Sequence, residues 1–287
     1  MTAAAALRGF LTDGRTRLVV SAYDALTARI AVDAGVEVLH LTGFGAAAAL
    51  TGGPDIGLVT QTEMVDTCRR ICDAVETPLL ADADTGYGNP LNVHRTVRLF
   101  EAAGAAGVHL EDQVTPKRCG HMSGKQVIPQ AEMVAKIRAA CDARRDDGFV
   151  ICARTDARSV EGLDAALERA AAYVEAGADM LFVEAPQSED EIVRIARELT
   201  APQLFNWAYD GLTPHVSRAW LEQLGFALVL FADVASAVHR AHTTFVRRLA
   251  ASDSLDDVAD LVTGFDAFLD FVGLPDWRAR ERRYTAD

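Results

Sequence analysis

A (β/α)8 barrel of the TIM type is the fold class this sequence predicts, and three observations predict it. Short, unbroken apolar runs alternate with amphipathic helical patterns, as expected of parallel strands buried on both faces. Eight such runs fit within roughly 230 residues, a size that suits a closed barrel better than an open sheet. No Pro-, Gly- or Ser-rich linker interrupts the alternation, so residues 1–287 are expected to form one domain with a helical extension over 235–287.

The elements follow in order. LVVSAYD (Leu18 to Asp24) reads as the first strand and ALTARIAVDAG (Ala25 to Gly35) as a helix closed by its glycine. VEVLHLTG (Val36 to Gly43) is the second strand, and the small-residue stretch FGAAAALTGGPDIG after it is expected to be a loop. QTEMVDTCRRICDAV is helical, with Thr60 or Thr62 able to cap it. TPLLADAD is the third strand, and NPLNVHRTVRLFEAAG is a helix opened by Asn-Pro and closed by Gly104. AGVHLED is the fourth strand. A long polar loop leads to the helix PQAEMVAKIRAACDAR and the fifth strand, FVICARTD (Phe149 to Asp156). GLDAALERAAAYVEAG, ADMLFVEAP and SEDEIVRIARELT read as helix, strand and helix. PQLFNWA, SRAWLEQLG and FALVLFAD complete the seventh strand, its helix and the eighth strand. A long helix (Ala235 to Ala251), the amphipathic VADLVTGFDAFLDFVG and the charged tail LPDWRARERRYTAD remain once the barrel is closed. Their apolar faces need cover, either from their own barrel or from a second subunit.

Composition narrows the function. Hydrophobic residues make up 50% of the chain and charged residues 24%, ordinary for a soluble globular protein and ample for a large core. The formal net charge of −13 argues against nucleic acid or an anionic membrane as partner, since both need basic patches. It leaves room for an anionic small molecule, because a metal and a few arginines set the field inside a pocket. Five cysteines, Cys68, Cys72, Cys119, Cys141 and Cys152, form neither a disulfide framework nor a paired zinc motif. The N-terminus has no signal architecture and no apolar run reaches a membrane span, so a cytoplasmic protein is expected.

In such barrels the site lies at the carboxyl ends of the strands. Those ends carry Ser21 to Asp24, Thr42 to Gly45, Asp82 and Asp84, Glu111 and Asp112, Arg154 and Asp156, Glu184, Asn206 and Asp233. Any one acid there can be a helix cap or a solvated charge, but a purely structural barrel has no reason to gather so many. Carboxylates at successive strand ends suit a hard cation such as Mg2+. Arg154 can pair with Asp156 or Glu184, or can grip a substrate carboxylate. Cys119 follows Lys117 and Arg118, cations expected to favour its thiolate, and Gly120 lets Cys119 and His121 face one cavity.

KRCGH (Lys117 to His121), with DAD (Asp82 to Asp84), HLEDQ (His109 to Gln113) and ARTDA (Ala153 to Ala157), resembles the isocitrate lyase/phosphoenolpyruvate mutase superfamily. The resemblance extends over nearly the whole chain and is nearest to the 2-methylisocitrate lyase and carboxyphosphonoenolpyruvate mutase branches. It implies a barrel with Mg2+ (Mn2+ as substitute), and an eighth helix exchanged between subunits of a homodimer or homotetramer. It further implies that Asp84 binds the metal directly and that Asp82, Asp55 and Glu111 hold it directly or through water. Thr42, Gly43 and Phe44 match the segment that binds the oxo-acid carboxylate, and Arg154 matches the arginine that grips the same portion. Cys119 matches the lyase acid, with Gly120 and His121 beside the second carboxylate, while Glu184 and Asn206 fall on pocket positions.

The activity so implied is Mg2+-dependent cleavage of a 2-hydroxy di- or tricarboxylic acid to a 2-oxo acid, pyruvate or glyoxylate, and a carboxylate. The alternatives are a carboxyphosphonoenolpyruvate mutase-like or oxaloacetate hydrolase activity, which do not need the cysteine, and a barrel kept only for binding. The metal and oxo-acid half matches the pattern. The other half departs from it at Trp207, Ala208 and Tyr209, at Phe231, Ala232 and Asp233, and at His40, where methylisocitrate lyases tend to have Tyr. An unusual second product is therefore expected.

Overall fold

Eight short strands run parallel: β1 (Arg17–Ala22), β2 (Val38–Leu41), β3 (Leu79–Asp82), β4 (Gly107–Glu111), β5 (Val150–Thr155), β6 (Met180–Val183), β7 (Leu204–Trp207) and β8 (Leu228–Phe231). They pair in the order β6-β5-β4-β3-β2-β1-β8-β7, and a parallel bridge between Leu181 and Gln203 links the two outer strands. The sheet is thus a nearly closed (β/α)8 barrel, as the alternation predicts. It is seen in a computed structural model that describes residues 1–285.

Strand side chains alternate between the barrel interior and the helix layer. Val19, Val38, Leu80, Val150, Met180, Leu204 and Leu228 share one buried interior cluster with Leu7 and Leu11. The last two belong to α1 (Ala3–Phe10) and the residue that caps it. No element is expected there from the sequence. Four consecutive alanines have high helix propensity, the Thr2 side chain accepts from the Ala5 N–H, and burial of Leu7 secures the helix.

The helix layer is α2 (Ala25–Asp33), α3 (Gly43–Thr51), α4 (Gln61–Ala74), α5 (Pro90–Ala102), α6 (Gln130–Ala143), α7 (Leu163–Glu175), α8 (Glu189–Glu198) and α9 (Arg218–Leu224). The expected loop after β2 is in fact α3. Thr42 caps it by accepting from the Gly45 N–H, and the alanine run then favours helix over loop. Thr60, rather than Thr62, caps α4 in a capping box with Glu63.

The chain separates into two compact units, Met1–Ala235 and the part from Ser236 onward. The second holds most of α10 (Val234–Ser252), a short 3-10 turn, α11 (Phe265–Phe271) and α12 (Leu274–Thr285). The charged tail is therefore helical, and its last two residues, the end of the expected extension, lie outside the described ones. Within this unit Arg248 pairs with Asp260 at 2.9 Å and donates to the Asp257 carbonyl.

Candidate active site

Moving up the barrel interior by two residues from each apolar layer replaces aliphatic groups by polar ones. Thr42, Asp82, Arg154, Glu184 and Asn206 line a cavity at the carboxyl end, together with Phe44, Asp55, Lys117, Cys119, Gly120 and His121. The same alternation turns Asp112 away. Its carboxylate is buried in the helix layer, where it accepts from the Thr155 hydroxyl, the Asp156 N–H and the Tyr173 hydroxyl. Asp112 is a brace between strands, and of the Glu111–Asp112 pair only Glu111 faces the interior.

Four acids converge beside Lys117. Its ammonium is 2.7 Å from Asp55 Oδ1 and 2.8 Å from Asp84 Oδ1. Asp82, at the end of β3, accepts from the Gly43 and Asp84 N–H groups. Burial alone would raise its pKa, but the charges of Lys117 and Arg154 oppose that and hold the carboxyl below the usual range. Asp84 adopts a left-handed backbone conformation, φ 48°. Burial lifts its pKa to about 6 against the opposing pull of Lys117. Burial likewise raises Glu111, and the Arg154 guanidinium 3.4 Å away only partly offsets it.

These residues fit a divalent cation. Glu111 Oε1 is a buried oxygen that accepts no hydrogen bond, and the buried Asp84 Oδ1 faces the Lys117 ammonium at 2.8 Å. Buried acids whose charge is penalised by desolvation gain most from a cation, and an all-oxygen set suits a hard one. His40, Asp82 and His109 form a second group, with donor atoms within 4.8 Å of one another, able in principle to hold a metal. Its two imidazoles are already engaged with each other. Their Nε2 atoms are 2.9 Å apart and their planes 12° apart, with centroids 5.1 Å apart. The centroids are farther apart than the nitrogens by about one ring width, so the rings lie edge to edge along an N–H···N bond. His40 Nδ1 meets Ser21 Oγ at 3.0 Å. Burial lowers both imidazole pKa values, His40 to about 3, which keeps the pair neutral. The oxygen set is thus the better metal site.

The polar loop after β4 carries Cys119. The Cys119 N–H donates to the Asp55 carbonyl, and the Gln113 side chain ties down Arg118 at its backbone. Lys125 reaches Asp156 at 2.8 Å and also bonds the Gly120 carbonyl. A Cβ on Gly120 would fall 2.6 Å from Arg154 Nη2 and from Glu184 Cγ, so only glycine permits this approach. The expected thiolate activation is overturned. Lys117 is spent on Asp55 and Asp84, the Arg118 guanidinium bonds the Ser123 carbonyl, and burial raises the Cys119 pKa. A thiol that keeps its proton is suited to act as an acid.

Arg154 grips Asp156 with two nitrogens at 3.0 and 3.2 Å and stands 3.3 Å from Glu184. Of the two readings open in the sequence, pairing is therefore realised. Glu184 also receives Asn206 Nδ2 at 3.3 Å, and His121 Nε2 stands 3.3 Å away. His121 Nδ1 accepts from the Leu212 N–H, so its proton sits on Nε2, toward Glu184. The Gly43 N–H, expected on a substrate carboxylate, is taken by Asp82, while Thr42 Oγ1 serves as cap and Phe44 lines the cavity.

All thirteen sequence-derived site residues lie at this mouth, ten of them lining the cavity and Asp84, Glu111 and Gly43 adjoining it through Lys117, Arg154 and Asp82. Sequence reasoning missed Lys117 as the bridge between Asp55 and Asp84, and it missed His40 with His109. Nothing in the linear spacing of residues 40 and 109 signals that pair. It also overstated the altered wall. Trp207, Tyr209 and Phe231 face a neighbouring cavity with His215 and Val216 that meets the site at Ala208, and of the departures only Ala208, Ala232, Asp233 and His40 line the site.

A family model described as phosphoenolpyruvate phosphomutase matches residues 7–252. A 2,3-dimethylmalate lyase of Eubacterium barkeri is 42% identical over 286 residues, 99% of both chains. A 2-methylisocitrate lyase of Aeropyrum pernix is 41% identical over 90% of this chain and 83% of its own. Among solved structures, a phosphonopyruvate hydrolase complexed with oxalate and Mg2+ superimposes with TM-score 0.90 at 29% identity, covering 99% of each chain.

Proposed function

This chain belongs to the phosphoenolpyruvate phosphomutase family of metal-dependent enzymes, and on that premise we propose that it is a carbon–carbon bond lyase. It cleaves a 2-hydroxy di- or tricarboxylic acid of the alkylmalate or 2-methylisocitrate kind to a 2-oxo acid and a carboxylate. The observation that carries this reading is the half-buried, proton-retaining Cys119 thiol in the same cavity as Arg154 and the Asp55–Asp82 acids.

Asp84, with Asp82, Asp55 and Glu111, would hold a Mg2+ ion, Mn2+ serving as substitute. When bound, the ion supplies the positive charge that lowers the pKa of a substrate hydroxyl. The remaining chemistry belongs to the chain. As the hydroxyl at C2 loses its proton to the surrounding carboxylates, the C2–C3 electron pair leaves with C3 and C2 becomes a carbonyl. Arg154 stabilises the oxo-acid side, with Asp156 and Glu184 fixing its fork. Cys119 Sγ gives its proton to C3, whose charge is delocalised onto the neighbouring carboxylate. Gly120 lets the loop close down on Arg154, which keeps water from that carbanion.

The test is release of pyruvate or glyoxylate from a panel of 2-hydroxy acids with Mg2+ and with chelator. No metal-dependent release from any of them overturns the reading. A mutase or hydrolase activity is the second reading, supported by the family model and the phosphonopyruvate hydrolase. It predicts turnover that survives Cys119→Ser.

We further read residues 1–287 as one functional domain in a homodimer or homotetramer, with α10 exchanged. In support, α10 has no buried residue, and Val238, Val246 and Phe265 are exposed. Sedimentation at micromolar concentration tests this, and a monomer would exclude it. Five free thiols, and no helix among the described residues long and apolar enough to cross a membrane, accord with a cytoplasmic enzyme.

A further inference from the structure

The cavity that holds the proposed chemistry is charged on one side and apolar on the other, and that division bears on which acid it accepts. Lys117 and Arg154 are the only lysine and arginine lining it. Lys117 is bound to Asp55 and Asp84, and Arg154 to Asp156 with Glu111 and Glu184 close by. Lys125, beneath the loop, is held by Asp156 and the Gly120 carbonyl. The wall formed by β7, β8 and the start of α3 presents Phe44, Ala208, Leu230 and Ala232 above the uncharged Thr42 and Asn206, the latter bonded to Glu184, and its charged group is Asp233. One Asp233 oxygen accepts the Tyr209 N–H at 2.9 Å, which fixes the carboxylate at the mouth.

We propose that this wall makes the enzyme selective for 2-hydroxy dicarboxylic acids with alkyl substituents, and that Asp233 is the residue excluding a third carboxylate. The inference rests on the lyase reading. A dicarboxylic acid leaves one carboxylate and the hydroxyl to Arg154 and the metal side and the second carboxylate to the Cys119–His121 loop. Its alkyl groups then meet Phe44, Ala208 and Ala232, where burial of each methyl is favourable. The third carboxylate of a 2-methylisocitrate-like acid would have to be desolvated against those apolar groups, with no cation and with a like charge at Asp233. Selectivity of this kind comes from repulsion as much as from attraction.

The experiment compares kcat/KM for 2,3-dimethylmalate and 2-methylisocitrate with Mg2+, in the wild type and in Asp233→Asn. The amide of Asn keeps an acceptor for Tyr209 and removes the charge. The dialkyl acid is expected to exceed the tricarboxylic acid by at least about 100-fold. In Asp233→Asn the ratio should move toward the tricarboxylic acid by about tenfold, and Asp233→Lys should move it further. Equal or better turnover of 2-methylisocitrate by the wild type overturns the selectivity while leaving the lyase reading intact. A preserved preference with an unmoved ratio in both variants overturns the role of Asp233. If neither these acids nor the wider panel yields an oxo acid, the lyase reading fails first and this inference with it.

Discussion

The two sides of the barrel mouth solve different problems. The side built by β3 to β6 and the Cys119 loop packs five acids, two lysines and an arginine into a nearly dry space, each charge held by another. The side built by β7 and β8 ends in Ala208, Leu230 and Ala232, with Asp233 at its rim. Buried, interlocked charges tolerate little change, because removing one leaves its partner uncompensated. An alanine wall tolerates change in the way any small apolar surface does. Chemistry is thus concentrated where the network is rigid, and substrate choice where it is not.

Substitutions on the charged side should therefore act on kcat. The largest effect is expected from Cys119→Ser, which should lower carbon–carbon cleavage by about 10³-fold, as loss of a general acid does. Because burial raises the Cys119 pKa, the acid form persists through neutral pH. Its contribution to kcat should fall only above the ordinary thiol range. A pH–rate profile with an alkaline limb at pH 7 would contradict this.

Gly120→Ala comes next. The added methyl would lie 2.6 Å from Arg154 Nη2 and Glu184 Cγ, so the loop must lift away. A loss of about 100-fold in kcat/KM is expected, with little change in thermal stability, since a displaced positioning group costs about that much. Unaltered turnover would mean that the close loop position is irrelevant to catalysis.

Beneath both sides, His109→Leu strands His40 Nε2 without its partner. A stability loss of about 1–3 kcal/mol is expected in urea unfolding. The smallest effect belongs to the apolar wall. Ala208→Val should change KM for an alkyl-substituted acid by a few-fold, consistent with about one or two methyl groups of contact, and leave kcat within about twofold. A large kcat effect there would erase the distinction between the two sides.

How legible this was depended on the kind of relation involved. The eight strands, their helices and the acids at the strand ends were readable because buried parallel strands and amphipathic helices leave local periodic marks. Misreadings arose where a non-local partner or a local cap decided. The alanine run after β2 became a helix because Thr42 caps it. Lys117 and Arg118 look from the sequence like activators of Cys119, yet Lys117 is claimed by Asp55, 62 residues earlier. Trp207 looks like an intruder in the pocket, but it faces away because neighbours in a strand point to opposite sides.

The sequence by itself determined the barrel, the residues available at its mouth and the family chemistry they match, since all three depend on order and spacing along the chain. Only the tertiary structure decided which charges meet. It paired His40 with His109, spent Lys117 on two acids, turned Asp112 outward, and left Cys119 protonated. The reason is that ion pairing and desolvation depend on distances and burial set by closing the sheet, and those bring together residues with no regular separation in sequence.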